Sequence, residues 1–265
     1  MNNSESNSDD GQVLTEIDGH VLTITVDRSD KMNGFTPSMF DQLSDAMELL
    51  DQSSDLWVGV LTFAGKHTTA GLDLPKFFGP NAEQRRNGED KIDAFSMRRR
   101  CSKPVVMAVQ GVTYTIGIEM MLGIDIVIAA DDCRFCQLEP KRGLAVFGGA
   151  HVRYVQRAGW GNAMYHLLRA DEFDAARALE LGFVQEVVPV GEQIARAQAI
   201  AQEIAECAPL ATQEIKRAAF VYLQEGESAA FDEIPTMRER TAGSDDAKEG
   251  MQSFIERRPA EFKGQ

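Results

Sequence analysis

Two glutamates in the middle of the chain, Glu119 and Glu139, have surroundings that suit chemistry. Glu119 stands in GIEMML, in the first turn of an apolar helical stretch from Gly117 to Leu122. Unpaired backbone N–H groups and the helix dipole favour negative charge there. A carboxylate at the start of an apolar helix has to face something polar. Glu139 follows just past the short run Cys133 to Leu138 and is placed to share that cavity. Two carboxyls around one water can act as base and acid in turn. Rival chemistries have weaker support. His20, His67, His151 and His166 are scattered without metal-ligand spacing, so no metal site is expected. Cys133-Arg134-Phe135-Cys136 has CxxC spacing, but inside a strand-like run and with no second pair. No serine or cysteine sits in a nucleophile elbow. Neither Gly-x-Gly-x-x-Gly nor a phosphate-loop lysine motif occurs, which argues against nicotinamide and nucleotide-hydrolysing enzymes.

The elements that must hold these residues follow from pattern. Val13 to Ile17 and Val21 to Val26 flank Asp18-Gly19-His20 and read as a hairpin. Thr36-Pro37 offers an N-cap and a first-turn proline, and apolar positions 39, 40, 43, 46, 47 and 50 trace one face of a helix to about Asp51. Trp57 to Phe63, Val105 to Val109, Asp125 to Ala130 and Phe183 to Val190 are buried-strand candidates. Helices are expected over 148–157 and 162–169, broken at Gly159-Trp160-Gly161, and over Phe173 to Leu181. Asn81 to Arg100 is highly charged and reads as a solvent-facing helix or mobile loop, or as a rim that attracts an anionic ligand. From Gly191 the composition turns helical, with segments over 192–207, 209–225, 227–241 and 245–257. The chain thus divides into a disordered acidic tail (1–11), an α/β core (12–190) and a helical C-terminal region (191–265).

A chain of 265 residues with 43% hydrophobic content can bury a large core. A net charge of −14 argues against nucleic acid or an anionic membrane as partner. No apolar run approaches membrane-spanning length, and Met1 to Gly11 lacks the marks of an export signal. Four scattered cysteines suggest no disulfide framework, and a cytoplasmic protein is expected.

The strings LTFAGKHTTAGLDL, KPVVMAVQGVTYTIGIEMMLGIDIVIAADDCRF, QLEPKRGLAVFGG, ALELGFVQEVVP and EGMQSFIERRPAEF, in that order, resemble the enoyl-CoA hydratase/isomerase (crotonase) family. The resemblance covers nearly the whole chain after the tail. It implies a crotonase-like spiral of ββα units, with the helical C-terminal region serving for trimerisation. It also implies homotrimers or hexamers formed as dimers of trimers, an acyl-CoA substrate, and no cofactor beyond the coenzyme A of that substrate.

The family's shared chemistry stabilises a thioester enolate, whose oxygen needs two fixed backbone donors. By position in the motifs, Leu72 and Ile116 match those donors, while Glu119 matches the residue that activates water and Glu139 the one that protonates C2. The bland alternative for either glutamate is a solvated turn residue or a salt bridge to Lys141 or Arg142. Substrate contacts implied by the resemblance are Arg28 and Lys31 near the nucleotide, Ala70, Leu72 and Leu74 along the adenine and pantetheine channel, Tyr114 and Phe147 around the acyl group, and Phe254 and Arg257 reaching a neighbouring subunit's ligand. Asp125 reads as an organiser of the fold. Three departures stand out: Thr113-Tyr114-Thr115 replaces a glycine-rich loop, Leu138 replaces a proline, and Ala145-Val146-Phe147 replaces a proline-glycine turn. The pair of glutamates points to hydration of a 2-enoyl-CoA. Isomerisation, thioester hydrolysis or a non-catalytic acyl-CoA-binding subunit are the alternatives.

Overall fold

The computed structural model describes residues 10–78, 80, 82 and 90–265. The proposed tail lies outside the described residues except for Asp10 and Gly11. Asp10 is held in place: the Thr36 hydroxyl donates to its carbonyl at 2.8 Å, and Lys76 pairs with its carboxylate. Most of the charged stretch 81–89 is likewise outside. From Asp90 onward that stretch is a loop rather than a helix, with Ile92 and Ala94 buried.

The hairpin forms as its Asp-Gly signal requires. Strands β1 (Gln12–Asp18) and β2 (Val21–Asp27) close on the pair Asp18 and Val21, with Gly19 at φ 56° in the turn. Helix α1 (Pro37–Gln52) starts where Thr36 accepts the Met39 amide at 3.2 Å and buries Met39, Phe40, Leu43, Met47 and Leu50. Strand β3 (Val58–Phe63) then runs parallel to β2, and short helix α2 (Leu74–Phe78) follows the AGLDL loop.

The next two steps each give one strand to each of two sheets. Strand β4 (Val105–Val109) joins β3, the chain crosses at Gly111, and β5 (Val112–Tyr114) enters the second sheet ahead of helix α3 (Ile116–Gly123). Gly111 has φ +53°, and a Cβ there would meet the Lys66 carbonyl oxygen at 2.3 Å, so the crossing needs glycine. Strands β6 (Ile126–Ala130) and β7 (Arg134–Cys136) repeat the step. A 3-10 turn over Glu139–Arg142 leads to α4 (Ala150–Arg169), bent at Gly159, whose φ 74° and ψ 165° are not helical. Phe173 to Leu181 is not one helix. Strand β8 (Phe173–Asp174) pairs with β7 because Phe173 stacks on Phe135 at 5.5 Å, and Asp174 then caps α5 (Ala175–Glu180). Strand β9 (Glu186–Val188) completes the large sheet, in the order β1-β2-β3-β4-β6-β9; the small one runs β5-β7-β8.

Helix α6 (Gln193–Ala205) covers the outer face of the large sheet, with Ala197, Ile200 and Ala201 against Val60, Val106, Ala108 and Ile128. Helix α7 (Pro209–Glu225) follows. The stretch read as a single helix over 227–241 is two, α8 (Glu227–Asp232) and α9 (Ile234–Ala242), because Pro235 sits in the first turn of α9 and cannot donate to a continuous ladder. Helix α10 (Asp245–Glu256) closes the chain. Its Asp246 carboxylate accepts the amides of Lys263 and Gly264 at 2.7 and 2.9 Å. Asp125 ties this region to the core, accepting the Val105 amide at 2.9 Å and pairing with Lys216 of α7 at 2.6 Å.

Candidate active site

Three parts of the chain meet around one apolar cavity of about 390 Å³: the loop 70–74 with α2, the start of α3, and the stretch from the turn at Glu139 to Gly148 before α4. Backbone pairing fixes the first two. Phe35 and Leu72 form an isolated bridge in which the Phe35 amide donates to the Gly71 carbonyl and the Asp73 amide to the Phe35 carbonyl, each at 2.9 Å. A second bridge joins Thr69 to Thr113, with the Tyr114 amide donating to Thr69 at 3.0 Å. The 70–72 loop is thereby pressed onto the entry to α3. A Cβ on Gly71, whose φ is +116°, would stand 2.6 Å from the Thr115 hydroxyl. Neither bridge uses the Leu72 amide, and the Ile116 amide opens α3, so both lack an acceptor among the described residues. Leu72 and Ile116 both line the cavity.

Glu119 comes from α3 and is only 2% exposed. One carboxylate oxygen, Oε1, accepts the Gly148 amide at 2.7 Å and the Ala150 amide at 3.3 Å. Arg153 donates to the Glu119 main-chain carbonyl at 3.2 Å. Burial pushes this carboxyl up, while those two amides and the charges of Arg153 and His151 oppose the rise. Glu139 opens the 3-10 turn, and its Oε2 is buried without a hydrogen-bond partner among the described residues. Its carboxyl is pushed up to about 7, chiefly by burial; its own amide opposes this and the Glu119 charge adds to it. It forms no ion pair with Lys141 or Arg142 among the described residues. The two acids therefore face one space in different states of satisfaction: Oε1 of Glu119 is gripped by two amides, while Oε2 of Glu139 has no partner among the described residues.

The expected substrate contacts divide. Ala70, Leu72, Leu74 and Phe147 line the cavity. Tyr114 does not; its hydroxyl donates to Glu172, the residue before β8. Arg28 is buried, donating to the Gly34 carbonyl and pairing with Asp73, each at 2.8 Å, so it braces the loop before α1. Lys31 is exposed at the end of a 3-10 turn. Phe254 is 84% exposed on α10 and Arg257 ends that helix, both outside the cavity lining.

Several lining residues were not singled out from sequence. Phe40, Phe77, Phe78 and Phe95 form an aromatic wall, with Phe40 centred between Phe77 at 6.0 Å and Phe95 at 5.5 Å. Helical periodicity read Phe40 as core, which it also is. The Phe77-Phe78 pair after AGLDL was an available signal. Arg142 is the one cation of the lining among the described residues. No cluster of three or more metal-ligating side chains occurs among the described residues, and no helix there is long and apolar enough to cross a membrane.

A two-sheet core wound by repeated strand-strand-helix steps, carrying a cavity with two acids and two unpaired amides, defines the crotonase class of fold. The chain belongs to the enoyl-CoA hydratase/isomerase family, whose model matches residues 16–265. Among curated relatives, enoyl-CoA hydratase EchA19 of Mycobacterium tuberculosis is 33% identical, with 94% of this chain and 96% of that protein covered. 1,2-Epoxyphenylacetyl-CoA isomerase of Escherichia coli is 28% identical, with 95% of this chain and 98% of that protein covered. The crystal structure of a probable enoyl-CoA hydratase/isomerase from Mycobacterium abscessus superposes with a TM-score of 0.91 at 41% identity, covering 96% of this chain and 99% of that one.

Proposed function

We propose that this protein is a 2-enoyl-CoA hydratase, adding water across the 2,3 double bond to give a 3-hydroxyacyl-CoA. The observation that carries the reading is the placement of Glu119 and Glu139 on one cavity with unlike surroundings. Environments that separate two carboxyls assign them roles. Glu119, held by the amides of Gly148 and Ala150, orients the water and takes its proton as the oxygen attacks C3. Charge then grows on the thioester oxygen, where the amides of Leu72 and Ile116 donate; one such donor is typically worth about 3 kcal/mol of barrier. Glu139, protonated because its site is dry, delivers a proton to C2. No cofactor enters beyond the coenzyme A of the substrate.

Lys31 near the nucleotide, in the loop that Arg28 braces from within, and Phe254 and Arg257 acting on a neighbouring copy's ligand complete the proposal. The assembly is a homotrimer or a hexamer, supported by apolar side chains left exposed on the C-terminal helices. Four unpaired cysteines, three of them buried, suit a reducing cytoplasm.

Incubation with crotonyl-CoA and longer enoyl-CoAs, following loss of conjugated-thioester absorbance, tests the reading. Turnover that Glu139→Gln lowers by roughly 10²–10⁴-fold is expected. No turnover at any chain length, or turnover indifferent to that change, overturns it. The 1,2-epoxyphenylacetyl-CoA isomerase among the relatives makes isomerisation of an acyl-CoA the second reading, and product analysis separates the two.

A further inference from the structure

A second cavity, of about 330 Å³, opens between residues 96–100, the first turns of α4 and the C-terminal half of α7. Arg100, His151 and Arg153 line it, with Phe220 and Leu223 of α7 opposite. The two guanidinium groups converge on one acceptor: Arg100 Nε donates to the Ser96 carbonyl at 3.3 Å and Arg153 Nη2 to the same oxygen at 3.0 Å. The Phe220 ring, 4.1 Å from Arg100 Cζ, fixes the first. The second is 7% exposed and is anchored through Nη1 to the carbonyl of Glu119. Neither has a carboxylate oxygen within 4.0 Å among the described residues.

The acids whose charges act on the pair are already committed, Glu119 among them through the amides of Gly148 and Ala150. Asp93 accepts the amides of Phe95, Met97 and Arg98, and Asp125 is held by Val105 and Lys216. Burial, followed by the charge of Arg100, pulls Arg153 down to about 10, and Arg157 adds further positive charge nearby. Like charges sharing one acceptor in a partly dry cavity repel, in a chain otherwise carrying an excess of acid. The two terminal nitrogens of Arg100 donate to nothing among the described residues. A guanidinium fork with free N–H groups matches the oxygens of a phosphate.

We propose that this cavity is an anion site that takes a phosphate group, free or borne on a small metabolite, between Arg100 and Arg153. The site is separate from the cavity of the two glutamates, yet Arg153 touches the main chain of Glu119, so occupancy reports to that residue.

Thermal melts in inorganic phosphate against chloride at matched ionic strength test the proposal. A saturable rise in Tm of roughly 2–4 °C is expected, absent in Arg100→Gln. Leu223→Glu, which brings a carboxylate to the lip, is expected to melt higher in chloride and to lose the phosphate response, covering the case in which Arg100→Gln folds poorly. Calorimetry with inorganic phosphate and with glycerol phosphate ranks the free ion against the borne group, and saturable binding of either supports the site. A shift that tracks ionic strength alone, or a phosphate response unchanged in both variants, overturns the proposal. So does phosphate that competes with an acyl-CoA, which would place the ion in the coenzyme channel. Indifference to phosphate combined with a changed oligomer mass in either variant would mean that an acid of another copy fills the cavity, and would equally overturn it.

Discussion

Glu139 is the most exposed to test of the individual side chains, because its role and its environment make separate demands. In its proposed role as proton donor it must hold its proton, and a carboxyl pushed up to about 7 does so only below that pH. Turnover is therefore expected to fall as pH rises through about 7, and Glu139→Gln to lower kcat by roughly 10²–10⁴-fold and remove that limb of the profile. Stability follows the same proton. The folded carboxyl releases it near 7 and the free one near 4.5, so the folded state binds more protons between those values. Unfolding free energy should then decline as pH rises across that window, and less so in Glu139→Gln, as denaturant melts at pH 4.5 and 7 would show. That Glu119, Glu139, Leu72 and Ile116 share one cavity was legible because motif position marks them. The amides of Gly148 and Ala150 that grip Glu119 were not, since a backbone donor leaves no trace in residue type. Tyr114 misled for the opposite reason: its type suits a pocket, but alternation along β5 turns it toward Glu172.

Among the elements, the entry to α3 carries the strain. Thr115 has φ 49° and ψ −112°, a conformation costly for a β-branched residue. The conformation is imposed from both sides, by the Thr115 amide bonded to the Cys136 carbonyl at 2.9 Å and by Gly71 packed against its hydroxyl. Thr115→Gly should relieve about 1 kcal/mol net of the added chain entropy, raising Tm by roughly 2–4 °C in calorimetry. A lower Tm would show that the hydroxyl contributes more than the strain costs. Element boundaries were legible where a single residue sets them, as with Thr36 before α1. They were missed where tertiary contact decides. Phe173 has the helical context of its neighbours yet pairs as a strand, because Phe135 lies under it.

For the molecule as a whole, the apolar faces of α9 and α10 are the unspent resource. Ile234, Met251, Phe254 and Ile255 are each more than half exposed in the single chain. Light scattering is expected to give a trimer or hexamer, and Ile255→Glu to reduce that mass. The spiral itself was legible only through family resemblance, since periodicity distinguishes α/β from α but does not order strands.

The winding of the chain between two sheets has a kinetic corollary. The walls of the glutamate cavity come from successive turns of the winding, and neighbours in the large sheet are joined by long crossovers rather than hairpins from β2 onward. Docking such remote partners is slow. During renaturation after dilution from denaturant, helical dichroism should reappear well before catalytic competence, which would be the last property regained.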